Sequence, residues 1–137
     1  MSKILGIDYG LKKIGLALGN EEFKMAFPYK TLIKKNNQTL LTELKAILER
    51  ENISKIVLGL PLYLNGETSL TTVQVKNFAQ KLKTHFNLPV ILVDERLTSL
   101  EAERRITELN LKNKQKKKMI IDQLSAVLIL ENYFNQT

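Results

Sequence analysis

The 137-residue chain contains no cysteine and a single histidine, His85. Without cysteine there is no disulfide framework, no thiolate zinc site and no thiol nucleophile. With one imidazole, any metal must be held by oxygen. Long apolar runs are also missing. Asp8 interrupts the N-terminal run Ile4 to Ile7, which is too short for the apolar core of a signal peptide. Nothing approaches the roughly 18 apolar residues of a membrane span. A soluble, cytoplasmic protein with no membrane partner is expected. Acid is scarce as well: 14 Asp and Glu stand against 21 Lys and Arg, for a net charge of +7. That balance favours an anionic partner, nucleic acid foremost. With 44% hydrophobic residues the chain can bury a real core, and one domain spanning residues 1–137 is expected.

What is present reads as alternating strands and helices. "KILGIDY" (3 to 9) and "IGLALG" (14 to 19) are strands, the second alternating large and small side chains as a strand packed tightly on one face would. "MAFPYKTLI" (25 to 33) is a third, and Pro28 marks it as an edge strand or a bulge. Short connections make these three an antiparallel meander. Leu40, Leu41, Leu44, Ile47 and Leu48 then recur at helical spacing behind the cap residues Asn36 and Asn37. "KIVLGLP" (55 to 61) and "PVILVD" (89 to 94) are short apolar runs suited to strands buried on both faces. Between them Val75, Phe78, Ala79, Leu82 and Phe86 mark a second helix. Thr98 with Glu101 forms a capping-box pattern opening a helix over 99 to 109, "NLKNKQKKK" (110 to 118) is a basic connection, and "MIIDQLSAVLILENYF" (119 to 134) is a final helix. The order βββαβαβα implies an α/β fold with a mixed five-stranded sheet flanked by helices.

Three acidic positions fall where apolar structure is otherwise expected: Asp8 on the first strand, Asp94 and Glu95 at the end of the last, and Asp122 in the final helix. An unpaired buried carboxylate costs several kcal/mol or shifts its pKa until it neutralises. Ligands of open α/β sheets bind at the carboxyl ends of strands, where a central first strand would bring Asp8 beside Asp94 and Glu95. Clustered carboxylates call for a divalent cation, and Mg2+ or Mn2+ suits an all-oxygen site. Two such ions about 4 Å apart would clamp the attacking and leaving oxygens of a phosphodiester. Gly10 and Gly15 would let a phosphate approach the backbone. Each acid also has a plainer role. Asp122 suits the N-terminal end of a helix, Asp94 or Glu95 can cap a helix or pair with Arg96, and Asp8 can sit at an exposed strand end. Strand parity puts Asp94 and Glu95 on opposite faces without saying which points inward.

The segments "GIDYGLKKIGLALG", "IVLGLPLYLNGE", "VDERLTSLEAE" and "IDQLSAVLILENYF" resemble, in order, the four signature blocks of the YqgF family, also called RuvX. The resemblance covers nearly the whole chain. It implies an RNase H-like fold similar to RuvC-type Holliday-junction resolvases. Two roles come with it: resolving branched DNA, and maturing the 5′ end of small-subunit ribosomal RNA precursors. Asp8 takes the place of the first-strand catalytic aspartate, Glu95 of the acid in the Asp-Glu-Arg block, and Asp122 of the last-helix aspartate. Those three are the implied catalytic and metal-binding set, with Asp94 in reserve for the middle position. RuvC-type resolvases place an acid at the end of the fourth strand, where this chain has "GLP", and a second aspartate one turn along the last helix, where it has Ser125. Lys13 replaces an arginine common in the first block, keeping charge and losing the bidentate fork.

Lys13 and Arg96 flank the acids and are candidates to meet substrate phosphates, with Lys12 beside them. Lys112, Lys114, Lys116, Lys117 and Lys118 precede the helix bearing Asp122 and suit phosphates at the rim, or simply a solvated surface. Tyr63 suits either a half-buried loop position or stacking on a base, and His85 has no evident chemistry. Two rival functions remain: a non-catalytic nucleic-acid-binding or ribosome-assembly factor, and an ATPase or kinase of the actin-like superfamily, which shares the Asp-x-Gly turn. A symmetric resolvase would require a homodimer, an RNA-trimming enzyme only a monomer.

Overall fold

The computed structural model describes residues 3–60, 70–95, 104–105 and 114–136. Strands β1 (Lys3–Tyr9), β2 (Lys13–Asn20) and β3 (Met25–Ile33) precede helix α1 (Asn37–Arg50). Then come β4 (Ile53–Leu60), α2 (Leu70–Phe86), β5 (Val90–Asp94) and α3 (Lys114–Asn135). The sheet order is β3-β2-β1-β4-β5. β1 pairs antiparallel with β2 and parallel with β4, so the sheet is mixed and β1 lies at its centre.

Pro28 acts in both of the ways its chemistry allows. β3 is an edge strand, and its register against β2 slips between Leu16 and Ala17, which pair with Lys30 and Pro28 and leave Tyr29 bulged. Of the two asparagines before α1, Asn36 is the cap: its side chain accepts a 2.7 Å bond from the Thr39 amide. α1 and α2 are each followed by an asparagine in the left-handed region, Asn52 (φ 53°) and Asn87 (φ 52°), a conformation asparagine tolerates better than most residues.

Two cores flank the sheet. On one face Leu5, Ile7, Ile14, Leu16, Ile56 and Leu58 pack with the apolar stripes of α1 and α2. On the other, Ile4, Ala17, Val57 and Val93 pack with Ala126, Val127, Ile129, Leu130 and Phe134 of α3. The small residues of β1 and β2 face α3. A Cβ on Gly6 would stand 2.6 Å from Cγ of Leu130, and one on Gly15 only 2.0 Å from the carbonyl oxygen of Asp122. The large–small alternation of "IGLALG" is thus the imprint of a helix lying close on one face.

Three expectations need correction. The last helix starts at Lys114, so part of the basic connection is helical. β5 is not buried on both faces: it is the second edge of the sheet, and among the described residues Leu92 is exposed. Gly15 is filled by the backbone of α3 rather than left open to a phosphate. The proposed helix over 99 to 109 lies outside the described residues except at Arg104 and Arg105, which are helical.

Candidate active site

β1 carries Ile4, Gly6 and Asp8 toward α3, and Leu5, Ile7 and Tyr9 toward the other core, by simple strand parity. Asp8 therefore emerges near the carboxyl end of the central strand, on the face covered by α3. The same parity resolves the choice at the end of β5. Val93 packs in the α3 core, so Glu95, two residues on, returns to that face, and its amide continues the ladder by donating to the Leu60 carbonyl at 3.2 Å. Glu95 reaches Asp8, and the two carboxyl groups share a hydrogen bond. Asp94 does not take that place but adds a repelling charge to Glu95.

Burial governs the ionisation of these groups. Desolvation pushes the Asp8 carboxyl up to about 6, against the opposing effect of its bond from Glu95 and with help from the charge of Asp122. Desolvation, then repulsion by Asp8, pushes Glu95 up to about 9. Both shifts run the same way, so the pair keeps its protons to higher pH than free carboxyl groups do. Asp122, half-buried on α3, is also raised by desolvation, while Lys13 pulls it back down.

Asp122 is brought there by the absence of side chains on β2. Gly15 sits directly beneath the Asp122 backbone, and any larger residue would lift the helix. At the end of β4, Gly59 plays a matching part: a Cβ there would lie 2.4 Å from Cδ1 of Ile129 and 2.6 Å from Oε2 of Glu95. Sequence reasoning does not name Gly59 as a site residue, and its one signal is the GLP departure from the resolvase pattern. Ser125, one turn beyond Asp122, is 2% exposed, and among the described residues its hydroxyl has no hydrogen-bond partner.

Lys13 is half-buried near Asp122, as its position in the first block implies. Lys12 is exposed on the β1–β2 turn, which Gly10 closes by donating to the Lys13 carbonyl at 3.1 Å. Lys116, Lys117 and Lys118 belong to the first turns of α3. Arg96 and Tyr63 lie outside the described residues. Among the described residues no three acidic side chains converge into a ready-made cage for an ion. The contact is between Asp8 and Glu95, with Asp122 in electrostatic reach of Asp8. Hard carboxylate oxygens, repelling one another and partly removed from water, are nonetheless the donor type a divalent oxygen-seeking cation fits.

A β3-β2-β1-β4-β5 mixed sheet with helices on both faces, and acids at the carboxyl end of its central strand, defines an RNase H-like fold of the resolvase type. Thermus thermophilus RuvC, solved with a Holliday junction substrate, superposes with a TM-score of 0.63 over 99% of this chain and 95% of that one, at 12% identity. Fowlpox virus resolvase gives 0.56 over 98% and 97%, at 14% identity. At such identities the likeness is one of fold alone. The family model described as "RuvX: Holliday junction resolvase" matches residues 2–136, and the chain belongs to the RuvX family. A Maridesulfovibrio salexigens protein named "Putative pre-16S rRNA nuclease" is 44% identical over 131 residues, 96% of each chain. A relative of the same name from Koribacter versatilis is 40% identical, over 98% of this chain and 87% of its own.

Proposed function

We propose that this chain is a single-domain, divalent-metal-dependent nuclease that hydrolyses phosphodiester bonds in the cytoplasm and matures the 5′ end of the pre-16S ribosomal RNA. Four-way DNA is the alternative substrate, supported by the fold kinship with resolvases. The observation that carries the reading is the hydrogen-bonded Asp8–Glu95 pair at the carboxyl end of the central strand, on the face that α3 closes with Asp122. Nothing in packing alone rewards two carboxyl groups held together and partly removed from water.

Asp8, Glu95 and Asp122 would hold Mg2+ or Mn2+ through carboxylate oxygens. Such an ion, when bound, supplies Lewis-acid activation of a water and neutralises charge gathering on the phosphate. The chain's own residues do the rest. Asp8 and Glu95 would present their carboxylate oxygens to the ion from the ends of β1 and β5, and Asp122 would add its own from α3. Lys13 compensates Asp122 and would offer a counter-charge to a phosphate oxygen bound beside it. Arg96 and the lysines at the start of α3, Lys116, Lys117 and Lys118, hold flanking phosphates without reading sequence.

One observation favours a second reading, a non-catalytic RNA-binding assembly factor. Ser125 stands where resolvases carry a second helix acid, so the acidic set is sparse. Purified protein would be given a labelled ribosomal RNA precursor leader and a labelled four-way DNA junction, with Mg2+ or Mn2+, beside Asp8→Asn. Cleavage of either, lost in the variant, establishes the nuclease and its preferred substrate. Binding without cleavage in both proteins establishes the assembly factor.

A further inference from the structure

On the sheet face opposite α3, a groove runs between α1 and α2. Its upper hollow, about 230 Å3, is bounded by Tyr9, Leu11, Lys34, Asn77 and Lys81, and opens beside the residue that follows Asp8. Its lower hollow, about 640 Å3, is bounded by Leu41, Thr42, Lys45, His85 and Phe86. Asn37 and Lys81 line both, so the two are continuous. From Asn37 to Lys45 along α1 is about 12 Å, the length of three to four stacked nucleotides at about 3.4 Å each.

The chemistry of this groove is one-sided. Lys34, Lys45 and Lys81 line it, and among its described lining residues there is no carboxylate. α2 as a whole contains lysines and a histidine but no acidic residue. Lys34 is positioned by the site strand itself: its ammonium donates to the Tyr9 hydroxyl and lies 4.6 Å from the centre of that ring. The side-chain oxygen of Asn37 is buried, with no hydrogen-bond partner among the described residues. That atom needs a donor, which neither a phosphate nor a simple anion provides. A nucleic-acid strand provides both kinds of group, phosphates for the lysines and base amines or ribose hydroxyls for the amide.

We infer that the α1–α2 groove binds a single-stranded RNA segment flanking the bond that the Asp8 site cuts. This rests on the nuclease reading for the site, but the groove is tested by binding alone. Lys45 and Lys81 are exposed, so replacing them spares the core. Binding of a fluorescent single-stranded RNA dodecamer would be followed by anisotropy in an Asp8→Asn background across a range of KCl concentrations. Lys45→Gln with Lys81→Gln is expected to weaken binding at least fivefold at low salt and to reduce the log–log salt slope by about 1.4, two neutralised phosphates at about 0.7 each. Lys76→Gln with Lys83→Gln removes the same charge from α2 outside the groove and is the control.

Equal losses in the two double variants would overturn the inference, because general charge would then be the whole effect. Displacement of the RNA by an acidic peptide at equal charge concentration would overturn it too, in favour of a protein partner. If the wild type cuts its substrate while the groove variant binds like the control, the groove fails and the nuclease reading stands. If the wild type cuts nothing while the groove variant alone loses RNA, the groove stands and the nuclease reading fails.

Discussion

Oε2 of Glu95 lies 2.6 Å from the point where a Cβ of residue 59 would stand. The end of β4 can therefore carry a side chain, or it can carry the glutamate carboxylate from the end of β5, but not both. The glycine that departs from the resolvase pattern and the glutamate that resembles a replacement acid are two halves of one arrangement. Gly59→Ala is expected to push Glu95 away from Asp8 and to displace the Ile129 side chain, whose end lies 2.4 Å from the same point. Both are side-chain ends, so the fold should survive with a lower melting temperature. Mg2+ affinity, read by calorimetry, should fall at least tenfold.

Gly15→Ala should be far more damaging. The added carbon would meet the carbonyl oxygen and carbon of Asp122 at 2.0 and 2.3 Å. Those are backbone atoms of a helix packed on the sheet, so α3 must lift as a body. A loss of about 3 kcal/mol or more is expected from urea unfolding, at the upper end of overpacking effects.

The acidic pair sets a pH dependence of definite sign. Asp8 rises from 3.8 to about 6 and Glu95 from 4.5 to about 9, so the folded protein binds more protons than the unfolded chain between these values. Stability is then fully present below about pH 4 and is lost as pH rises through about 6 and on through about 9. The Asp8 shift alone corresponds to about 3 kcal/mol. Carboxylates with lowered values, such as Glu51 paired with Lys3 at 2.9 Å, act only at more acid pH. Thermal melts of metal-free protein between pH 5 and 9 should show the decline. Asp8→Asn should flatten it, and Mg2+ should restore the wild type at pH 8 but not the variant. A wild type equally stable at pH 5 and 9 would contradict this picture.

Ser125→Ala should be neutral or stabilising by up to about 1 kcal/mol, since the hydroxyl it removes is buried and has no partner among the described residues. Ser125→Asp should do the opposite without metal, adding a buried charge one turn from Asp122, and should tighten Mg2+ binding. Parallel melts with and without Mg2+ separate the two effects.

Replacing Lys112, Lys114, Lys116, Lys117 and Lys118 by Ser should flatten the salt dependence of nucleic-acid binding, by about 0.7 in slope for every phosphate no longer neutralised. An unchanged slope would assign these lysines to solubility alone.

The strand and helix order was legible because hydrophobic periodicity reports directly on which face of an element is buried. Leu40, Leu44 and Ile47 mark the inward stripe of α1 as plainly in the chain as in the fold. Asp8 was legible for a related reason: a carboxylate inside an apolar strand is costly unless a partner is supplied. The choice between Asp94 and Glu95 was not, because alternation assigns opposite faces without saying which is which. Val93 in the α3 core decides it. Nor could the sequence place Gly15 under the Asp122 backbone or Gly59 against Glu95, since a missing side chain shows nothing until the atoms that fill its space are known. The α1–α2 groove is of the same kind, its lysines scattered through residues 34 to 81 and gathered by packing. Local pattern determined the elements and the unusual acid. Only tertiary packing decided which distant residues would share a space, because close approach depends on atoms far apart along the chain.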